Sequence, residues 1–130
     1  VLSLEFIAGG TAFARIALPY IENLRRVGID AEYNQIDAAQ LQQRLKDFDY
    51  DMSIRRFVLG NTPSVTLRNF LGSESADAPG SFNASGLADP VVDALIDRVI
   101  GAESREEMVA AARALDRVLR IHHIWVPNWH

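Results

Sequence analysis

The chain has 130 residues, of which 48% are apolar and 23% are charged, with a formal net charge of −4 and no cysteine. This length fits one ordinary domain with a hydrophobic core. The lack of cysteine excludes disulfides and thiolate metal sites, and the mild acidity argues against a nucleic-acid-binding protein. The sequence opens inside a strand-like pattern without a signal-peptide pattern, so we expect it to be a piece of a longer protein.

The first part of the chain predicts three strands separated by two helices. Alternating apolar residues predict strands over residues 1–8, 29–36 and 51–58. The first helix is expected to be capped by Thr11, kinked or split at Pro19 and ended by Gly28. Asp37 is expected to cap the second helix, over residues 38–46. This strand–helix–strand–helix–strand order is typical of a parallel sheet with helical crossovers.

The second part predicts helices and a loop. Helices are predicted over residues 65–71, 90–100 and 105–121, and a long loop over 72–89. Asp89 before Pro90 is a typical helix start, and Ser104 with Glu107 matches a capping box. The apolar tail, residues 123–130, is expected to be extended and to pack on a part of the molecule outside this sequence.

The sequence holds no motif that predicts catalysis or a metal site. Residues 47–51 imitate the first half of a calcium loop, but Met52 and Val58 stand where glycine and glutamate are needed. His122 and His123 are neighbours on the predicted last helix and point about 100° apart, which does not suit a shared metal. No nucleophile elbow or phosphate loop is present. We therefore predict no catalytic residue, no metal and no cofactor.

The end of the third predicted strand is the best candidate for a binding site. Arg55, Arg56 and Phe57 lie there, followed by a turn that contains Gly60 and Asn61. Ligands of open parallel sheets bind outside the carboxyl ends of the strands, where arginine and aromatic side chains can hold an anionic or peptide group. Strand alternation allows an alternative, in which the two arginines point to opposite faces and at most one lies in the site.

Several segments, in order, resemble family 5 extracellular solute-binding proteins, the oligopeptide and dipeptide receptors of ABC importers. The segments lie at residues 18–30, 43–52, 72–73, 80–86, 89–96 and 125–129. They include Leu24 to Ile29 at the end of the first helix, the Asp-Phe-Asp-Tyr-Asp-Met run before the third strand, and Asp89 to Ile96 at a helix start. Together they cover nearly the whole chain.

The resemblance implies one lobe of a type II periplasmic-binding-protein fold. Its elements would be a mostly parallel βαβαβ sheet, two C-terminal helices and a terminal extended strand. Residues 1–130 would form a single α/β lobe, the C-terminal lobe of a two-lobed protein whose N-terminal lobe lies outside this sequence. The implied partners are that lobe, a peptide or peptide-like solute and the transmembrane subunits of an ABC permease, with no nucleic acid.

The resemblance also completes the set of candidate ligand-binding residues. The candidates are Arg55, Arg56, Phe57, Val58, Gly60, Asn61 and Asn83. In the oligopeptide receptors an aromatic residue, here Phe57, precedes an aspartate that holds the amino terminus of the peptide. Gly60 and Asn61 stand at or near the aspartate position and neither is acidic, so we expect recognition of a free amino terminus to be lost or moved. The charge of the paired Arg55 and Arg56 motivates the hypothesis of a blocked or anionic peptide-like ligand.

We therefore predict a non-enzymatic, exported periplasmic protein, soluble or lipid-anchored. It would capture a solute by closure between two lobes and deliver it to a permease. Two alternatives remain open: the ligand-sensing lobe of a regulatory protein, and a small α/β enzyme. An export signal would favour transport, a fused signalling or DNA-binding module would favour sensing, and turnover of an ester, phosphate or peptide would favour an enzyme.

Overall fold

A computed structural model describes residues 1–57 and 65–127, which fall into two compact units, 1–57 and 58–130. The first unit contains β1 (Ser3–Gly9), α1 (Ala14–Arg26), β2 (Asp30–Ile36), α2 (Ala38–Lys46) and β3 (Met52–Ser53). The second contains α3 (Thr66–Leu71), a short 3-10 helix (Ser73–Ser75), α4 (Pro90–Ile100) and α5 (Arg105–His122).

The three strands form a parallel sheet in the order β2–β1–β3. β1 lies in the centre and pairs with β2 from Ser3 opposite Asp30 to Gly9 opposite Ile36. Parallel neighbours need a crossover connection, and here the crossovers are α1 and α2. The predicted α/β class with a parallel βαβαβ sheet is confirmed.

Alternation along β1 divides its side chains between the two faces of the sheet. Phe6 and Ala8 pack with Ala17 and Ile21 of α1 and with Ala31 of β2 in one buried cluster. On the opposite face, Glu5 contacts Arg44 of α2, and a side chain at Gly9 would meet Leu41 of α2 at 2.9 Å. The two helices therefore cover opposite faces of the sheet.

The ends of α1 match the predictions only in part. The C-terminal end is as expected, since Gly28 has a φ of +86° and the N–H groups of Gly28 and Ile29 donate to the carbonyls of Arg25 and Leu24. The prediction that Thr11 caps the helix is wrong. The N-cap residue is Phe13, no side chain caps it, and the Thr11 carbonyl accepts the Ala14 N–H within a turn.

Pro19 neither splits nor ends α1, which runs unbroken from Ala14 to Arg26. Its side chain lies on the exposed side of the helix.

The third strand is much shorter than predicted. Only Met52 and Ser53 pair with β1, opposite Phe6 and Ile7, and residues 54–57 have no regular structure. The alternating pattern predicts an extended chain but does not specify where that chain leaves its partner, and here it leaves β1 two residues before β1 ends. Val58, the predicted last residue of the strand, lies outside the described residues.

The second unit is a small helical cluster. Leu71, Val92, Ile96, Val99 and Leu115 are core residues contributed by its three helices. The predicted caps of α4 and α5 are confirmed: the Asp89 carboxylate accepts the Val91 N–H at 2.7 Å, and the Ser104 hydroxyl accepts the Glu107 N–H at 3.1 Å.

The tail is described as far as Pro127. Residues 124–127 form no helix or strand, and the rest of the predicted terminal strand, residues 128–130, lies outside the described residues. Among the helices that the structure describes, none has the length and apolar character to cross a membrane.

Candidate functional site

The carboxyl ends of the three parallel strands meet at one edge of the sheet. β1 and β2 end side by side at Gly9 and Ile36, and β3 ends at Ser53, two residues before Arg55. Gly10, just beyond β1, has a φ of +74°, and among the described residues none other than its chain neighbours lies within 4 Å of the place where its Cβ would be. Ligands of open parallel sheets bind outside such strand ends.

The structure describes three of the predicted ligand residues at this edge. Arg55 and Arg56 are exposed, and Phe57 is half-buried and makes contacts of its own. Within the described residues neither arginine is paired with a carboxylate, so both guanidinium groups present hydrogen-bond donors to solvent. The segment Arg55–Phe57 is called the ligand segment below. Val58, Gly60 and Asn61 lie outside the described residues.

The remaining candidate, Asn83, lies in the second unit with no exposed surface. Its amide nitrogen donates to the carbonyls of Gly72 and Leu87 at 3.1 and 2.9 Å. Its amide oxygen accepts from the Leu87 N–H and the Ser85 hydroxyl at 3.2 and 3.1 Å. All four hydrogen-bonding positions of the amide are occupied, so Asn83 holds the 72–87 loop together in this conformation. A role in ligand contact stays a prediction.

The first unit contains a charged network that the sequence reading did not identify. The guanidinium of Arg44 on α2 donates Nη1 and Nη2 to the two carboxylate oxygens of Glu5 on β1, at 3.0 and 2.6 Å. Its Nε donates to Asp49 at 2.8 Å. The Arg44 guanidinium and the amide of Asn34 lower the pKa of Glu5 to about 2, because both donate to its ionised form.

A sequence signal for this network exists. Glu5 interrupts the apolar pattern of β1 with a charge on the face that α2 covers. A charge at a half-buried strand position needs a partner, and Arg44 is the basic residue that α2 turns toward the sheet. The sequence alone does not identify Arg44 as the partner of Glu5, because that requires knowing how α2 is aligned with β1.

A second polar contact, within the second unit, joins the end of α5 to the start of α4. The His122 ring, at the end of α5, contacts the Asp89 carboxylate at the start of α4 with a distance of 2.7 Å between Nε2 and Oδ2. The Val91 N–H and the His122 ring hold the pKa of Asp89 below its ordinary value. Among the described residues no group of three or more histidine, aspartate and glutamate side chains is arranged to hold a metal ion.

A shallow groove of about 490 Å³ lies beside the outer strand of the sheet. It is lined by Leu18, Ile21, Glu22, Arg25, Glu32 and Tyr33, from α1 and β2. None of these residues belongs to the predicted ligand set. The groove flanks the middle of β2 and the second half of α1, away from the carboxyl ends of the strands.

Comparisons with known proteins find relatives over almost the whole chain. It is 40% identical over 99% of its length to the probable peptide-binding protein YejA of Agrobacterium fabrum, and 37% identical over 99% to the peptidoglycan-binding protein YepA of the same organism. A periplasmic oligopeptide-binding protein of Thermotoga maritima, solved with mannohexaose bound, superimposes over 99% of the chain with a TM-score of 0.86 at 18% identity. The resemblance to peptide-binding proteins of ABC transporters is confirmed.

The solute-binding relatives are far longer than this chain. It spans about a fifth of each of the two Agrobacterium proteins (21%) and a quarter of the Thermotoga protein (25%). No protein-family model matches the chain. The structural match confirms the fold as part of a lobe of a type II periplasmic binding protein, and the homology supports a binding role. The named relatives are binding proteins, in agreement with the prediction that the protein is not an enzyme.

Proposed function

We propose that this chain is part of the C-terminal lobe of a periplasmic solute-binding protein that serves an ABC importer and binds a peptide or peptide-like solute. The identity to the probable peptide-binding protein YejA, 40% over 99% of the chain, carries the proposal. The ligands in the names of the two Agrobacterium relatives, peptide and peptidoglycan, support a ligand of this class.

In the proposed mechanism the protein binds and releases the solute without a chemical reaction. The solute lies between this lobe and an N-terminal lobe, the two lobes close on it, and the closed protein docks on the permease subunits and releases it. The protein acts in the periplasm, either soluble or attached by a lipid. Closure over the ligand requires contacts from both lobes, so residues of this chain supply only part of the binding free energy.

The ligand segment is the part of this chain that we propose to contact the solute. Arg55 and Arg56 offer two charged donor groups at the sheet edge, and Phe57 offers an aromatic surface beside them. Arginine forms two parallel hydrogen bonds with a carboxylate, so a ligand with a free carboxylate fits this edge best. Val58, Gly60, Asn61 and Asn83 stay predicted ligand residues.

The test measures affinity in the intact protein. Isothermal titration with a library of tri- to pentapeptides identifies the tightest binder, and the double substitution Arg55→Ala, Arg56→Ala is then titrated with that peptide. The loss of one charge-assisted hydrogen bond costs about 1.5–3 kcal/mol, so we expect the affinity to fall at least about 10- to 100-fold.

The matched control is the double substitution Arg113→Ala, Arg117→Ala. It removes two exposed arginines of α5 that have no carboxylate partner among the described residues. We expect this control to bind the peptide as the unchanged protein does. An equal loss in both double variants would mean that net charge, rather than the ligand segment, determines the affinity, and would reject the proposed site.

A further inference from the structure

β3 leads directly into the ligand segment, yet its pairing with the sheet is slight. Two residues, Met52 and Ser53, pair with β1, whereas β2 pairs with β1 over seven residues. Two residue pairs fix the direction of a strand only weakly. Met52 and Ile54 also pack on the apolar cluster around Phe6, so the position of the ligand segment depends on this packing and on polar contacts at the start of β3.

Those contacts come from side chains that surround Glu5. The Glu5 backbone N–H donates to the carboxylate of Asp51, the residue just before β3, at 2.7 Å. The Glu5 carboxylate receives the paired donors of Arg44 and, at 2.8 Å, the amide of Asn34 on β2. β1 is thus joined through one residue to α2, to β2 and to the chain that enters β3.

Arg44 extends the network into the loop between α2 and β3. Its Nε donates to the Asp49 carboxylate at 2.8 Å, and its backbone carbonyl accepts the Asp49 N–H at 2.9 Å. The loop turns sharply here, with a φ of +56° at Phe48, a conformation that non-glycine residues adopt only when their surroundings hold them. One guanidinium therefore joins the central strand to the turn that directs β3.

We propose that Arg44 is a positioning residue for ligand binding: by joining Glu5 to Asp49 it fixes the start of β3 and so places Arg55, Arg56 and Phe57 at the sheet edge. The proposal rests on the proposed function of that edge. Arg44 itself lies on α2 and contacts Glu5 and Asp49, so its effect on a ligand passes through β3.

The chemistry of the network requires arginine. A planar guanidinium donates to both Glu5 oxygens and to Asp49 at the same time, whereas the ammonium of a lysine is a single point charge on a flexible chain. Arg44→Met removes all three donors and keeps the aliphatic part of the side chain. Arg44→Lys keeps the charge and loses the planar geometry.

The first test needs no ligand. Amide hydrogen exchange is measured in the intact protein for residues 52–57, with the second half of β2 as an internal reference. We expect exchange in 52–57 to be about tenfold faster in Arg44→Met and intermediate in Arg44→Lys. The control Arg68→Met breaks a more exposed ion pair, with Asp97 in the second unit, and should leave 52–57 unchanged. Unchanged exchange in Arg44→Met, or equal acceleration throughout β2, would overturn the positioning role.

The second test couples Arg44 to the ligand segment, with the peptide selected by titration. Arg44→Met should weaken binding about tenfold, and adding Arg44→Met to the Arg55→Ala, Arg56→Ala variant should weaken it by much less than tenfold, because only Phe57 of the ligand segment is then left to be positioned. Additive losses would contradict the proposal, because independent effects on the ligand add. If the double arginine variant binds normally, the proposed site fails, while the exchange experiment still decides whether Arg44 positions β3.

Discussion

At the scale of single residues, Asn83 is a polar side chain with no exposed surface and with every hydrogen-bonding position used inside the chain. We expect Asn83→Ala to lower the free energy of unfolding by about 3 kcal/mol, because it leaves buried backbone groups of Gly72 and Leu87 without partners. Urea denaturation measures the change. Asn69→Ala, at an exposed position on α3, is the control and should change the free energy by less than about 0.5 kcal/mol. An equally small effect at Asn83 would mean that the loop rearranges without its side chain.

Glu5 gives the fold a dependence on pH with a defined sign. Its pKa is about 2 in the folded protein and 4.5 when the network is absent, so the unfolded chain binds the proton more readily. The stabilisation by Glu5 is therefore fully present above pH 4.5 and is lost as the pH falls from 4.5 toward 2. The side chain keeps 31% of its surface exposed, which reduces the contribution to about 1–2 kcal/mol.

The measurement compares unfolding of the unchanged protein and of Glu5→Gln at pH 7 and at pH 3. We expect the difference between them to be smaller at pH 3, because below pH 4.5 the unfolded chain takes up a proton at this residue while the folded protein keeps it ionised down to about pH 2. Glu22→Gln is the control, since Glu22 pairs with Arg26 on the open surface of α1 with 67% of its side chain exposed. A Glu5→Gln difference that is constant with pH would contradict the network as described.

At the scale of whole elements, the end of α1 depends on one backbone conformation. Gly28 has a φ of +86° and closes the helix with the two hydrogen bonds to Leu24 and Arg25. We expect Gly28→Ala to lower the free energy of unfolding by about 1 kcal/mol, and Gly28→Asn to cost less because asparagine tolerates the left-handed region better. No atom lies within 4 Å of an added Cβ, so thermal unfolding of the two variants isolates the backbone effect. Equal losses of unfolding free energy in Gly28→Ala and Gly28→Asn would contradict a backbone origin of the effect.

The sequence predicted the elements whose signals are local, and it predicted less well the features that depend on partners. Helix α2 with its Asp37 cap and helix α4 with its Asp89 cap lie where predicted, because apolar spacing and capping residues are local properties. The length of β3 could not be predicted from local sequence properties. Residues 51–58 alternate like a strand, but alternation does not specify where the chain leaves its partner, and pairing with β1 ends at Ser53, two residues before β1 itself ends.

The candidate site likewise has a part that a general rule predicted from the sequence and a part that depends on how the elements pack. The rule that ligands bind at the carboxyl ends of parallel strands led to Arg55, Arg56 and Phe57, and the structure places them beyond β3 with both arginines exposed. In the sequence, Arg44 lies 39 positions from Glu5 and 5 positions from Asp49, and it contacts both. The contact with Glu5 depends on how α2 lies over the sheet, which no sequence spacing specifies.

At the scale of the whole molecule, the chain carries one side of a proposed binding site. It spans 21% of the length of its relative YejA, and the proposed ligand lies between this lobe and another. A micromolar ligand is bound with about 8 kcal/mol, a free energy that two lobes share on closure. The central claim therefore concerns the intact protein and its ligand.

Native mass spectrometry of the intact protein, as purified and before any step that strips ligands, tests that claim most directly. The account predicts an adduct of peptide-like mass that is released on mild denaturation. If the protein instead carries no adduct and then binds no member of a broad peptide library, the account of this chain as part of a peptide receptor is contradicted.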